Sequence, residues 1–269
     1  MTQLNYDQSI GLTVPENYER YFVPAIGRPI AEDLIRLADV QSGEKILDVA
    51  CGTGIVTKLA AEKTGPSGSI TGLDNNPGML AVARSVVNTE VPVDWHEAGA
   101  EEMPLPDKAF DVVFCQAGLQ FVEDKTAALN EMNRVLADPG RVYINMPGKE
   151  GELFAVFHQG LKNHISAEAA GAAGKVFSLN DTEELRQLME NAGFKNVNVT
   201  AHEKTFELPP SGDFFRQYIN STPLVGIVSE ASEQQQQSLE RDVVQQWENF
   251  EQDGGMIYRQ QVLTATAEK

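Results

Sequence analysis

Positive charge is scarce in this chain. Only 21 lysines and arginines stand against 39 aspartates and glutamates, a formal net charge of −18 over 269 residues. So acidic a chain repels phosphate backbones and anionic lipid surfaces, which argues against nucleic acid as a partner. The charges are scattered rather than blocked, so they describe a solvated surface and not an interaction tail. Long apolar runs are missing too. None approaches the ~18 residues a helix needs to cross a bilayer, so no membrane insertion is expected. Cys51 and Cys115 are the only cysteines, too few for a disulfide framework. No His/Cys cluster has zinc spacing, and no metal is expected. Residues 1–5 lack the basic region and apolar core of an export signal. A cytoplasmic setting with reduced thiols follows as the expectation. What is present is a 42% hydrophobic content, ample for one large α/β domain or a domain with a cap.

The most informative stretch is Ile46-Leu47-Asp48-Val49-Ala50-Cys51-Gly52-Thr53-Gly54. Residues 46–50 have the length and apolar content of a buried parallel strand. Gly52 and Gly54 then let the backbone turn sharply and approach a ligand closely. A helix follows, carrying Thr57, Leu59, Ala60 and Ala61, until Gly65-Pro66 stops it. A second apolar strand, 69–74, ends in Asp74. In open α/β sheets an acid at that point grips a ribose diol. The pieces together describe a site for an adenosine-containing cofactor.

Two fingerprints fail. The dinucleotide pattern G-x-G-x-x-G has Thr57 at its third glycine, and Lys58 lacks the frame of a P-loop. Instead Asp48 precedes the glycines as Asp-x-Ala-x-Gly-x-Gly. A carboxylate there serves a pyrophosphate poorly and a cofactor with an ammonium and a sulfonium well. In this run the chain resembles the class I S-adenosylmethionine-dependent methyltransferases, and residues 46–54 look like their first motif. The likeness continues in Gly72-Leu73-Asp74-Asn75-Asn76-Pro77-Gly78-Met79-Leu80 and in Gly99-Ala100-Glu101-Glu102-Met103-Pro104-Leu105-Pro106. It extends to Phe110-Asp111-Val112-Val113-Phe114-Cys115, and to Asn133-Arg134-Val135-Leu136 with Pro139-Gly140-Arg141. The subgroup it resembles is that of small-molecule methyltransferases related to the ubiquinone/menaquinone biosynthesis enzymes. Residues 40–147 carry the resemblance; the rest follows loosely.

The resemblance implies a doubly wound, seven-stranded, mostly parallel sheet with an antiparallel last strand and a helical cap. It implies S-adenosyl-L-methionine as cofactor, with S-adenosyl-L-homocysteine as product. It places Asp48, Ala50, Cys51, Gly52, Thr53, Gly54, Asp74, Asn75, Met79, Ala100, Glu101 and Gln116 around the cofactor, with Tyr21 closing over it. Gln116 and Gln120 follow the fourth strand and face the methyl-transfer region. The segment Cys115-Gln116-Ala117-Gly118 lacks the Pro-Pro-aromatic signature of amino-methylating nucleic-acid enzymes. It also lacks the magnesium-ligating Asp of catechol-type enzymes. His158, on a helix with Phe154, Phe157 and Leu161, is the general-base candidate. A partly buried histidine satisfied by its neighbours is the plainer reading of the same pattern.

Along the chain, residues 15–39 read as helical, broken at Pro24 and Pro29. Strands and helices alternate through residue 146. Pro77 suits the first turn of a helix opened by Asn75 or Asn76, and Asp124 suits an N-cap. Asp138-Pro139-Gly140 turns into a strand over 141–146. Residues 152–165 form a helix, and the Ala/Gly tract 169–174 reads as a mobile joint. Asn180 and Glu183 have capping-box spacing. A strand over 196–208, a helical insert over 212–250 and a strand over 256–267 complete the chain, the last expected antiparallel beside 141–146. The expected organisation is a core of 40–147, 179–208 and 256–269, with a helical cap from 1–39, 148–178 and 209–255.

The reaction expected is displacement at a sulfonium methyl by an N, O or C nucleophile of a small, moderately apolar molecule. Two other classes stay open. One is a regulatory or non-methylating protein that binds the same cofactor; the other is a nicotinamide-dependent oxidoreductase, which Asp48 and Thr57 oppose. The expected partner is a small-molecule substrate, with a homodimer admissible.

Overall fold

The chain enters through helical turns. The computed structural model describes residues 12–269, so residues 1–11 of the expected cap segment lie outside the described residues. Helix α1 (Val14–Asn17) opens at Thr13, whose amide donates to the Glu16 carboxylate (2.6 Å). It widens into a π-helical stretch (Tyr18–Gly27) and continues as α2 (Arg28–Ala38). The breaks expected at the prolines do not occur. Pro24 lies inside the wide turns, where the ordinary i→i−4 bond is already given up. Pro29 is the second residue of α2, directly after the wide turns, and the helix runs on through it.

Strands and helices then alternate as β1 (Lys45–Val49), α3 (Ile55–Thr64), β2 (Ser69–Asp74), α4 (Pro77–Val86) and β3 (Val93–Glu97). They continue as β4 (Phe110–Gln116), α5 (Lys125–Val135) and β5 (Leu136–Pro147). Next come α6 (Glu152–His164), α7 (Ala167–Gly174), α8 (Thr182–Asn191) and β6 (Lys195–Leu208). Helices α9 (Ser211–Asn220), α10 (Leu224–Ser229) and α11 (Glu233–Trp247) precede the two-residue β7 (Glu251–Gln252) and β8 (Gly255–Glu268).

The sheet runs β3-β2-β1-β4-β5-β8-β6, with β7 paired to β8. The first five strands on this path are parallel. β8 lies antiparallel to β5, from Arg141 opposite Glu268 to Pro147 opposite Val262, as expected for the last strand. β1 shows why the sheet is buried on both faces. Leu47 and Val49 join Val113, Cys115 and the α5 residues Leu129 and Met132 in one core cluster. Ile46 joins Val112, Phe114 and the α2 residues Leu34 and Ile35 in another. This is the period-2 alternation of a strand with helices on both sides.

Contacts divide the chain into two compact units. One comprises Arg28–Lys149, Val176–His202 and Val262–Lys269, and holds the parallel strands. The other comprises, among the described residues, 12–27, Glu150–Lys175 and Glu203–Gln261 and is mainly helical. Its core is aromatic: Phe157, Phe215 and Trp247 are fully buried, and the Trp247 indole N–H donates to the Leu153 carbonyl (2.8 Å). Gly160 lets α6 and α11 approach, since a Cβ there would lie 2.5 Å from Val243.

Three local expectations change. The tract 169–174 is no joint but part of α7. The Ser166 hydroxyl caps it by accepting the Ala169 N–H (3.0 Å), and alanine is the best helix former. The cap of α8 is Asp181, which accepts from Glu183 and Glu184, while the Asn180 amide donates to the Phe177 carbonyl. β5 begins at Leu136, and its ladder to β4 shifts register between Phe110 and Val112, so 138–140 lies within an irregular strand.

Candidate cofactor and methyl-transfer site

The site starts where β1 ends. Ala50 (φ 55°), Gly52 (φ 54°) and Gly54 (φ 89°) are all left-handed, which folds the chain back on itself before α3. Gly54 faces packed atoms: a Cβ there would lie 2.6 Å from Val87 and 3.1 Å from the Trp95 ring. Gly52 faces the other way, with nothing within 4 Å of a Cβ built on it. The loop therefore has a closed side against α4 and β3, and an open side. The Thr53 hydroxyl is buried in this loop without a hydrogen-bond partner.

Two buried carboxylates flank the loop. Asp48 is 1% exposed, and its Oδ2 accepts both the Thr57 N–H (2.9 Å) and the Thr57 hydroxyl (2.6 Å). The N-cap of α3 is Gly54, which has no side chain, so Asp48 supplies the missing acceptor from the strand. Burial pushes the Asp48 carboxyl up to about 7, against the pull of the Thr57 donors, and the nearby charge of Asp74 pushes the same way. Asp74, at the tip of β2, accepts the Gly52 N–H on Oδ2 (2.8 Å) and the Asn76 N–H on Oδ1 (2.9 Å). Burial raises its carboxyl as well, opposed by those two amides. Cys51 and Cys115 are buried free thiols; burial holds the first well above its usual range and pushes the second up to about 12.

The neighbouring turns complete this end of the sheet. Asn76 caps α4 by accepting the Gly78 and Met79 N–H groups, which leaves Asn75 exposed and Met79 half-buried. After β3, Ala98 donates to the Asp74 carbonyl (3.1 Å), Ala100 is buried and Glu101 half-buried. After β4, Ala117 (φ 48°) donates to the Asn145 carbonyl (2.7 Å). Gly118 is needed there because a Cβ would lie 2.5 Å from that of Ala50. The post-β4 turn thus presses directly on the glycine loop. Gln116 is half-buried, and Gln120 is 3% exposed with neither end of its amide hydrogen-bonded.

Asp48, Ala50, Cys51, Gly52, Thr53, Gly54, Asp74 and Gln116 therefore gather at the carboxyl ends of β1, β2 and β4, with Asn75, Met79, Ala100 and Glu101 on the flanking turns. Tyr21 and His158 belong to the helical unit. Arg20 stacks its guanidinium over the Tyr21 ring, 5.4 Å from the centroid. His158 Nδ1 pairs with the Glu150 carboxylate, and Phe154 and Phe157 pack beside the imidazole. Burial lowers the His158 pKa, with Glu150 opposing.

Sequence reasoning missed three supports. Thr57 was read only as a failed glycine, yet its hydroxyl is the partner of Asp48. Arg134 stands in the sequence only as part of the Asn133-Arg134-Val135-Leu136 likeness, and Glu131 carries no signal of its own. Glu131 accepts the Met103 N–H (2.7 Å), and Arg134 donates to the carbonyls of Leu105 (2.8 Å) and Met103 (3.0 Å). Together they hold the loop that carries Ala100 and Glu101.

Residues 47–144 match the family model described as a methyltransferase domain. The ubiquinone/menaquinone biosynthesis C-methyltransferase of Stenotrophomonas maltophilia is 31% identical over 216 residues, covering 72% of this chain and 79% of the relative. The structure of a candidate methyltransferase from Bacillus halodurans C-125 superposes with a TM-score of 0.61 at 20% identity, covering 89% of this chain and 98% of the other. The phosphoethanolamine N-methyltransferase 2 of Haemonchus contortus, solved with phosphomonomethylethanolamine and S-adenosylhomocysteine, gives 0.59 at 19% identity, over 100% and 60% of the two chains. A carboxylate-flanked glycine loop on this sheet, with these relatives, makes the chain a member of the class I S-adenosylmethionine-dependent methyltransferases related to the ubiquinone/menaquinone biosynthesis enzymes.

Proposed function

We propose that the β1 loop, the tip of β2 and the turn after β4 hold S-adenosylmethionine for methylation of a small, moderately apolar acceptor. The observation that carries the assignment of the site is the cradle itself. Gly52 has an open side, and each Asp74 oxygen keeps acceptor capacity beyond its one backbone amide. Asp74 is assigned to the ribose hydroxyls and Asp48 to the charge of the ammonium end. Ala50, Cys51, Gly52, Thr53 and Gly54 supply close backbone. Asn75 and Met79 flank the adenosine, Ala100 and Glu101 meet the adenine edge, and Tyr21 is a further contact candidate. Gln116 faces the methyl.

The cofactor, when bound, supplies a methyl on a sulfonium that leaves as a neutral thioether. The protein's work is to align donor and acceptor. A base is required only where the attacking atom loses a proton during transfer. His158 is the candidate for that task. Burial favours the neutral ring that can accept a proton, Glu150 opposes it, and its carboxylate on Nδ1 orients the imidazole. No acceptor pose is needed for this assignment to be tested by pH profile.

The relative's name points to a quinone, and the long helical segment over 209–255 points away from one, since the resembled quinone enzymes generally lack it. The net charge of −18 opposes nucleic-acid binding, and a cytoplasmic setting belongs to the same reading. The decisive experiment measures S-adenosylhomocysteine release across a panel of naphthoquinols, phenols and phosphobases. Turnover of one class names the acceptor. Tight cofactor binding with no turnover anywhere would favour a non-methylating role.

A further inference from the structure

Among the described residues, six besides glycine hold left-handed backbone, and two of the six are alanines: Ala50 (φ 55°) and Ala117 (φ 48°). Asp39, Asn196 and Asp253 belong to the residue types that offset this conformation with a local side-chain bond. Alanine has no such group, so its Cβ meets the backbone uncompensated. Both alanines stand at one joint of the sheet unit. Ala50 lies in the turn after β1, Ala117 in the turn after β4. Gly118, next to Ala117, receives the Ala50 methyl: a Cβ on Gly118 would lie 2.5 Å from the Cβ of Ala50 and 3.2 Å from Cys115 Sγ.

Backbone geometry accounts for neither member of this contact. Gly118 has φ −114° and ψ −46°, a conformation open to any residue, so glycine is there for space alone. Ala50 is the reverse, a methyl on backbone that favours glycine. Strained backbone of this kind collects at functional sites, where the surroundings hold it in place. The two turns are tied outward, to opposite neighbours of the β1–β4 pair. On the β2 side, the Cys51 N–H donates to the Leu73 carbonyl (3.0 Å) and the Gly52 N–H to Asp74 (2.8 Å). On the β5 side, the Ala117 N–H donates to the Asn145 carbonyl (2.7 Å), and the Phe121 N–H closes the turn on the Gly118 carbonyl (3.0 Å). The Ala50 methyl fills the place where the two anchored turns meet. We infer that this methyl is a spacer setting the gap between the glycine loop and the turn after β4, and that Ala50 and Gly118 are positioning residues for the cofactor's seat. The inference rests on the assignment of the cofactor to that loop. The methyl acts on the ligand through the loop it holds in place, and Gly118 acts through the methyl.

The test uses the whole protein, with S-adenosylhomocysteine as the calorimetric probe and thermal unfolding of the same samples. It compares the native chain with Ala50→Gly and with the double variant Ala50→Gly/Gly118→Ala. Ala50→Gly relieves strained backbone and removes the spacer. It should melt within about 4 °C of the native chain yet bind the probe at least fivefold more weakly. The double variant returns a methyl to the gap from the other side, on backbone that accepts it. Its affinity should recover to within twofold of native, a non-additive pair of the kind contacting residues give. Unchanged affinity in Ala50→Gly would overturn the inference. So would an affinity that falls only together with a large drop in melting temperature, the mark of general loosening. A double variant that binds no more tightly than Ala50→Gly, or that does not fold, would overturn it as well. A native chain that leaves the probe unbound would instead sink the cofactor assignment, which is a separate result.

Discussion

Asp48 and Thr57 are joined twice on a single carboxylate oxygen, once through the Thr57 N–H and once through its hydroxyl. This link turns the strand that enters the site into the cap of the helix that leaves it. Thr57→Val keeps the side-chain shape and removes only the hydroxyl. The buried carboxylate then loses one of its donors, at an expected cost of about 1–3 kcal/mol. Urea unfolding of the variant measures it, and an unchanged midpoint would show that the hydroxyl contributes nothing.

The same carboxylate sets a pH dependence. Its pKa is 3.8 as a free side chain and about 7 in the fold, so between those values the folded state holds the proton more often. Stability from this group is therefore fully present below about pH 4 and is lost as the pH rises towards 7. Asp48→Asn cannot titrate and keeps an oxygen for Thr57. Its unfolding free energy should vary less than that of the native chain between pH 5 and 7. Parallel slopes for the two proteins would remove Asp48 as the titrating group.

Much of this fold was legible because its signals are local. The apolar run of 46–50, the glycines after it and the acid closing 69–74 each report a strand, a turn and a tip without help from distant residues. The antiparallel last strand was legible through resemblance alone. What could not be read depended on partners far along the chain. Thr57 looks like a broken glycine motif until Asp48 is placed behind it. Arg134 looks like a surface charge until the Met103 and Leu105 carbonyls arrive. Phe215 is fully buried against Phe157 and Trp247, which the sequence alone does not reveal, because an amphipathic helix pattern cannot say which apolar face is core. The Ala/Gly tract 169–174 reads as loose by its glycines and folds as helix by its alanines and its serine cap.

Arg134 offers a test of how the loop over 99–106, proposed to meet the adenine, is held. Its guanidinium bonds Glu131 and Asp107 as well as the two loop carbonyls. A lysine ammonium keeps the charge but cannot span these directions at once. Arg134→Lys should therefore weaken S-adenosylhomocysteine binding by several-fold, with only a small loss of thermal stability. Calorimetry and melting on the same samples separate the two, and an unaltered Kd would detach the loop from the cofactor.

Gly54 is constrained twice, by φ 89° and by Val87 and Trp95 at the place of its missing Cβ. Gly54→Ala forces either a strained backbone or a shift of packed side chains, and should destabilise the fold by about 1–3 kcal/mol. Ala50 shares the left-handed conformation at φ 55° without a glycine, so Ala50→Gly should be tolerated far better. Chemical unfolding of the pair gives the comparison, and equal losses would refute the packing argument.

Asp74 carries two duties, and they can be pulled apart. Its oxygens accept the Gly52 and Asn76 amides, which shape the cradle, and the proposed second duty of their remaining lone pairs is to accept from the ribose hydroxyls. Asp74→Ala removes both. Charge-assisted bonds to hydroxyls are worth about 1.5–3 kcal/mol, or roughly 10- to 150-fold in affinity. A loosened cradle would weaken every ligand, whereas loss of ribose bonds weakens only ligands that have the diol. The affinities of S-adenosylhomocysteine and its 2′,3′-dideoxy analogue should therefore differ strongly on the native protein and be nearly equal on the variant. If the variant lowers both affinities by the same factor, Asp74 shapes the loop and does not hold the ribose. If it lowers neither, the tip of β2 lies outside the site.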